Sequence, residues 1–226
     1  MKAWNELPEH MQNQEVRRYY EILRKKRVSL CAKRIFDVVM SVLLILILCP
    51  FMLVIGILVG VTSPGGAVFK QVRVTTYGKR FRIYKFRTMV AEAPERGTQV
   101  TVSGDSRVTG IGKFLRKVRL DELPQLFNIV KGEMSFVGTR PEVEKYVGHY
   151  SDRMLATLLM PAGVTSTASI EYKDEERLLS TSRDVDETYV KEILPAKMEY
   201  NLRYLEKYSF YRDIIILFQT VAAVLR

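Results

Sequence analysis

Asp121 and Glu122 are adjacent carboxylates in the stretch Arg116-Lys117-Val118-Arg119-Leu120-Asp121-Glu122-Leu123-Pro124-Gln125-Leu126-Phe127-Asn128. Neighbouring carboxylates repel when both ionise, and a divalent cation or cationic side chains relieve the repulsion. Mg²⁺ suits such a pair, because it takes one or two carboxylates together with substrate phosphate oxygens. With one carboxylate on the ion, the other is free to attack phosphorus, as in aspartyl-phosphate chemistry. A plainer reading is an acidic pair at a helix start, complementing the dipole, with Pro124 in the first turn. Lys85-Phe86-Arg87 follows a strand-like run, so Lys85 and Arg87 share one face as a phosphate clamp requires; a solvated strand face reads the same way. Gly138-Thr139-Arg140-Pro141 sets Arg140 in a rigid turn, a geometry suited to bidentate phosphate contact. His10 and His149 have no Cys, His or acid at metal-ligand spacing, and neither a phosphate-binding P-loop nor Gly-x-Gly-x-x-Gly is present.

The element that must hold this chemistry in place is apolar. Val38 to Val61 carries no charge and exceeds the ~20 residues that cross a bilayer as a helix. Basic residues flank it on both sides: Arg24, Lys25, Lys26, Arg27, Lys33 and Arg34 before, then Lys70, Arg73, Lys79, Arg80 and Arg82 after. A spanning helix should be basic mainly on the cytoplasmic side. Both flanks satisfy that rule if the segment enters and leaves on one face. Pro50, preceded by Cys49, is a candidate bend. On physics alone, a re-entrant helix–break–helix and a kinked single-pass anchor both remain open. Asp37, beside Lys33 and Arg34, reads as a local ion pair at the membrane surface.

Around this segment, residues 1–30 read as one basic helix with interleaved aromatics, suited to a membrane interface or to solvent. Residues 67–90 alternate as a hairpin turning at Tyr77-Gly78. Residues 91–110 read as a loop, 111–130 as one helix ended by Lys131-Gly132, and 134–144 as a loop. Residues 145–160 read as helix and 165–172 as strand. Ile214 to Leu225 is apolar but too short to span, which leaves a core or interfacial helix.

The net charge of +10 and pI near 9.6 suit nucleic acid, anionic membrane or phosphate-bearing substrates. With a membrane segment present, anionic lipid is the default partner. Cys31 and Cys49 make neither a disulfide framework nor a metal site, consistent with a reducing cytosolic face.

Four ordered motifs carry a family resemblance: Lys33-Arg34-Ile35-Phe36-Asp37, Ile83 to Met89, Leu120 to Asn128, and Lys131 to Pro141. From about Lys33 onward the chain resembles the monotopic phosphoglycosyl transferases, the bacterial sugar transferase family. The resemblance implies transfer of a phosphosugar from a UDP-sugar to polyprenyl (undecaprenyl) phosphate, with release of UMP. It implies that Asp121 is the nucleophile, that Glu122 binds Mg²⁺ beside it, and that Lys85, Arg87, Arg116 and Arg140 surround the phosphates. It also implies a re-entrant helix broken at Cys49-Pro50, where the family commonly has Ser-Pro. Thr139 stands where many relatives have Pro, and Met160-Pro161-Ala162-Gly163-Val164-Thr165 departs from the usual motif, which leaves the donor sugar open.

The expectation is an α/β protein, mainly helical with a small sheet. It comprises a basic interfacial segment over 1–34, a re-entrant membrane helix over 35–62, and a cytosolic catalytic domain over 63–226 with membrane-associated C-terminal helices. It places the protein on the cytoplasmic face of a bacterial inner membrane, working in surface glycan assembly. The N-terminal helix and the tail offer apolar surface for a homodimer. A non-catalytic scaffold holding anionic lipid is the main rival, and a phosphohydrolase using water is another. A nucleic-acid binder would need stacking aromatics, but Phe81, Tyr84 and Phe86 read more simply as strand core, so no nucleic acid is expected.

Overall fold

The computed structural model describes residues 1–62, 65–90, 101–102, 104–182 and 184–225. The N-terminal thirty residues are not one helix. Pro8 separates two short 3-10 turns, and helix α1 (Gln14–Arg24) follows, started by Asn13, whose side chain accepts from Val16 N at 2.8 Å. Nor is α1 a solvated tail. Val16, Tyr19, Tyr20 and Leu23 recur at helical spacing and bury against Leu158, Leu159, Leu202 and Leu205.

Helix α2 (Arg27–Thr62) carries the apolar run. It is the one helix among the described residues long and apolar enough to cross a membrane. It continues through Pro50, and Cys49 and Pro50 are both exposed, so the expected interruption does not end the helix. One face, marked by Lys33, Asp37, Ser41, Ile55 and Val59, is buried against the rest of the protein. The opposite face exposes Ile35, Val39, Leu46, Ile47, Leu53 and Val61.

The hairpin forms as read: β1 (Val68–Val74) pairs antiparallel with β2 (Arg80–Phe86). The expected helix over 111–130 is instead two helices. Helix α3 (Gly110–Lys117) is capped by Thr109, a 3-10 turn covers Leu120–Glu122, and helix α4 (Gln125–Lys131) ends at Gly132 in the left-handed region. The break has a local cause. Arg119 adopts φ 57°, a left-handed conformation that stops α3, and Pro124 has no N–H to continue the ladder.

The region read as a loop after α4 contains β3 (Met134–Val137), which pairs parallel with β4 (Ala162–Thr165). The strand read at 165–172 therefore lies slightly earlier. Ser166 caps helix α6 (Thr167–Glu171) in its place. The helix read over 145–160 is two short pieces, α5 (Glu144–Val147) and a 3-10 turn over Met154–Leu159. Helices α7 (Glu175–Leu179) and α8 (Val185–Thr188) lead through a π turn into α9 (Leu194–Glu206) and α10 (Phe210–Leu225). Helix α10 exposes Tyr211, Phe218 and Val221. The reading of 91–100 as loop lies outside the described residues.

Candidate active site

The 3-10 turn between α3 and α4 buries both acids, with Asp121 6% and Glu122 8% exposed. Leu120 and Leu123, which bracket them, pack into a cluster with Ile55 and Val59 of α2 and Phe86 of β2. The dyad thus stands beside the second half of the apolar helix.

Strand β2 delivers Lys85, whose Nζ donates to Glu122 Oε1 at 3.2 Å. The segment after β3 delivers Arg140. Its Nη1 donates to Glu122 Oε2 at 3.2 Å, and its Nη2 donates to Oε1. Such a fork holds a carboxylate in one orientation. Burial alone would raise the Glu122 pKa, but Arg140 and Lys85 reverse this and hold it well below the usual range. Burial pushes Asp121 the other way, above the ordinary carboxylate value. Lys85, Arg116 and Arg140 oppose that rise, and neighbouring Glu122 adds to it. Asp121 Oδ1 is buried without a hydrogen-bond partner. Burial lowers the Lys85 pKa, with Glu122 working against the shift. One acid is therefore clamped and ionised, and the other keeps an uncommitted oxygen.

Arg116, at the end of α3, donates to Thr88 Oγ1 at 2.9 Å and meets Glu176 of α7 at 3.4 Å. Arg87 does not join the dyad. Its guanidinium donates to the carbonyls of Gly65 and Gly66 in the turn after α2. Of the four expected phosphate-binding cations, Lys85 and Arg140 contact Glu122, Arg116 pairs with Thr88 and Glu176 while its charge is felt at Asp121, and Arg87 braces the backbone.

Several positioning residues escaped the sequence reading. Asn128 of α4 accepts from Tyr84 N at 3.0 Å and donates to Arg82 O at 2.8 Å and Glu133 Oε2 at 2.7 Å, which fixes β2 and hence Lys85. Gly138 and Gly163 let β3 and β4 approach closely, since a Cβ on Gly163 would overlap the Gly138 backbone. Gly138 N donates to Thr165 O and Gly163 N to Thr139 O, so the pairing extends to the residue before Arg140.

Asp37 is not part of a local ion pair. Lys33 Nζ reaches Asp213 Oδ2 of α10 at 2.7 Å and Val137 O at 2.7 Å. Asp37 Oδ1 accepts from Phe136 N at 3.2 Å, while Arg34 donates to the carbonyls of Ile129 and Val130. The local trace was Asp213, an acid in the first turn of an apolar helix, which reads equally as a complement to the helix dipole.

The family model described as bacterial sugar transferase matches residues 28–226. The chain belongs to that family. It is 37% identical to the UDP-glucose:undecaprenyl-phosphate glucose-1-phosphate transferase of Klebsiella pneumoniae, covering 86% of this chain and 40% of that protein. It is 34% identical to the UDP-N-acetylgalactosamine-undecaprenyl-phosphate N-acetylgalactosaminephosphotransferase of Aeromonas hydrophila, covering 85% and 43% respectively. Against the exopolysaccharide production protein ExoY of Rhizobium meliloti it is 32% identical, over 85% of both chains. The chain thus spans about two-fifths of the length of the first two relatives and most of the third.

Proposed function

We propose that this bacterial sugar transferase moves a sugar-1-phosphate from a UDP-sugar to undecaprenyl phosphate. The observation that carries the reading is the asymmetric dyad: Glu122 locked by Lys85 and Arg140, Asp121 buried with Oδ1 free. Similarity to transferases named for these substrates supports the same donor and acceptor classes.

Asp121 attacks the phosphorus bonded to the sugar. The new Asp121 O–P bond forms as the bond to UMP breaks, and UMP leaves with the electron pair. A phosphate oxygen of the lipid then attacks the same phosphorus. The product is a lipid diphosphosugar, and Asp121 regains its carboxylate, giving ping-pong kinetics. Lys85, Arg116 and Arg140 supply fixed positive charge where anionic oxygens gather. The free Oδ1 beside a second carboxylate fits Mg²⁺, so Asp121 and Glu122 are the residues that would hold it. When bound, the ion offsets diphosphate charge.

The membrane placement follows the same logic. Lys33, Asp37 and Ser41 near one end of α2, and Ile55 and Val59 near the other, are buried by the same protein body. A single-pass anchor would carry its far end away from the domain. Both observations support a monotopic arrangement, with the exposed faces of α2 and α10 toward lipid and the basic flanks on the cytoplasmic face. Pro50, which frees the carbonyl of Leu46, is the point at which α2 would bend in a bilayer.

The test incubates detergent-solubilised protein with a UDP-sugar panel, Mg²⁺ and undecaprenyl phosphate, beside Asp121→Asn. UMP release with one sugar, lost in the variant, is the expected outcome. Equal release by the variant would overturn the nucleophile assignment. Release without the lipid at the full rate would favour hydrolysis.

A further inference from the structure

Two buried amide side chains stand on α4 in opposite conditions. Asn128 is fully buried, and both its Oδ1 and Nδ2 are engaged with β2 or Glu133. Gln125 is 1% exposed, and neither its Nε2 nor its Oε1 has a hydrogen-bond partner. Buried polar groups in folded proteins are nearly always paired, because an unpaired one forfeits its hydration for nothing. An orphaned amide therefore needs an explanation, and its neighbour offers one. Among the described residues, four buried side-chain polar atoms lack a partner, and three of them belong to Asp121 and Gln125.

The two residues lie on one turn. Leu123 and Pro124 keep helical backbone angles, and the hydrogen bonds from Leu123 N to Leu120 O, Leu126 N to Leu123 O and Phe127 N to Pro124 O make that turn 3-10. Residues three apart align in such a turn, so Gln125 stands over Glu122, the acid next to Asp121. The turn thus carries Oδ1, an unpaired acceptor, together with an amide that needs one donor and one acceptor. A phosphate oxygen satisfies only the donor half of the amide, and a bare cation only the acceptor half. An O–H group satisfies both, accepting from Nε2 while donating to Oε1.

We propose that Gln125 is a ligand-contacting residue of this site, receiving a bound O–H group beside Asp121. The proposal rests on reading the dyad as the reacting centre. Two sources carry that chemistry there: a hydroxyl of the transferred sugar, or a water held on a divalent cation.

Gln125→Met keeps an unbranched side chain of similar size and removes both orphan atoms; Gln125→Leu is the substitute if the first variant misfolds. Full-length protein in detergent is titrated calorimetrically with Mg²⁺ alone, with UMP plus Mg²⁺, and with UDP-glucose or UDP-N-acetylgalactosamine plus Mg²⁺. Loss of one ligand hydrogen bond weakens binding about tenfold. Weakening toward Mg²⁺ alone assigns the contact to a metal-bound water. Weakening toward a UDP-sugar, with UMP and Mg²⁺ unchanged, assigns it to the sugar. Melting of the ligand-free variant at or above the wild-type temperature is also expected, because an unpaired amide leaves the core. Unchanged affinities for every probe would overturn the proposal, whatever happens to the melting temperature. Wild-type protein that binds none of the probes would instead overturn the reading of the dyad, and this inference with it.

Discussion

Removing Lys33 tests whether one buried ion pair locks the start of the membrane helix to the C-terminal helix. The side chains of Lys33 and Asp213 are only 5% and 3% exposed, and Nζ lies 2.7 Å from Oδ2. Lys33→Met leaves Asp213 buried, with Tyr204 as its remaining donor at 2.8 Å. It also strips Val137 O of its side-chain donor. Breaking a buried pair from one side costs about 3–5 kcal/mol. At about 2–4 °C per kcal/mol for a chain of this size, the melting temperature should fall by about 10 °C. Lys33→Met with Asp213→Leu removes the stranded charge and should recover part of that loss, roughly 1–3 kcal/mol. Thermal scans in detergent, arranged as a double-mutant cycle, read both numbers. The pH dependence gives a second check. Burial already raises the Asp213 pKa against the pull of Lys33, and a raised carboxyl favours folding while protonated and loses that contribution as pH rises. The deficit of Lys33→Met should therefore shrink as pH falls. A single-variant loss under about 1 kcal/mol, or a double variant worse than Lys33→Met alone, would refute the reasoning.

Arg140→Lys should lower kcat/KM by about tenfold or more, because an ammonium cannot reproduce the two-pronged contact with Glu122; steady-state UMP release measures it. Asn128→Ala removes three hydrogen bonds and should destabilise by about 2–4 kcal/mol, read by denaturation. Gly163→Ala forces a Cβ into the Gly138 backbone and should yield little folded protein, as judged by size-exclusion profile. With the Asp121 pKa raised by burial, the acidic limb of the pH–rate profile should lie above the ordinary carboxylate value of 3.8, activity falling as pH drops through it. The Glu122 contribution to stability, from a carboxyl held low, is fully present above its ordinary value of 4.5 and is lost only at more acidic pH.

The sequence by itself determined the elements whose cause is local. The uncharged run from Val38 to Val61 requires a long apolar helix, the alternation around Tyr77-Gly78 requires a hairpin, and Gly132 ends α4 because it can take φ 84°. The Asp121–Glu122 pair is visible as adjacent acids, but on residues alone it also reads as a helix start, and only the family resemblance ties Lys85, Arg116 and Arg140 to it. Tertiary structure decided the rest. Nothing local reveals that Arg119 adopts a left-handed conformation and splits one apparent helix into two. Strand β3 looks like a loop because four residues with a parallel partner some thirty positions away leave no periodic trace. Lys85 and Arg87 alternate on one strand end, yet only Lys85 reaches the acids, because the turn after α2 captures Arg87. The long-range partners of Lys33 and Asp37, and the unpaired amide of Gln125, emerge only once distant segments pack. Burial and partner choice are properties of the assembled chain, set by which groups exclude water from one another.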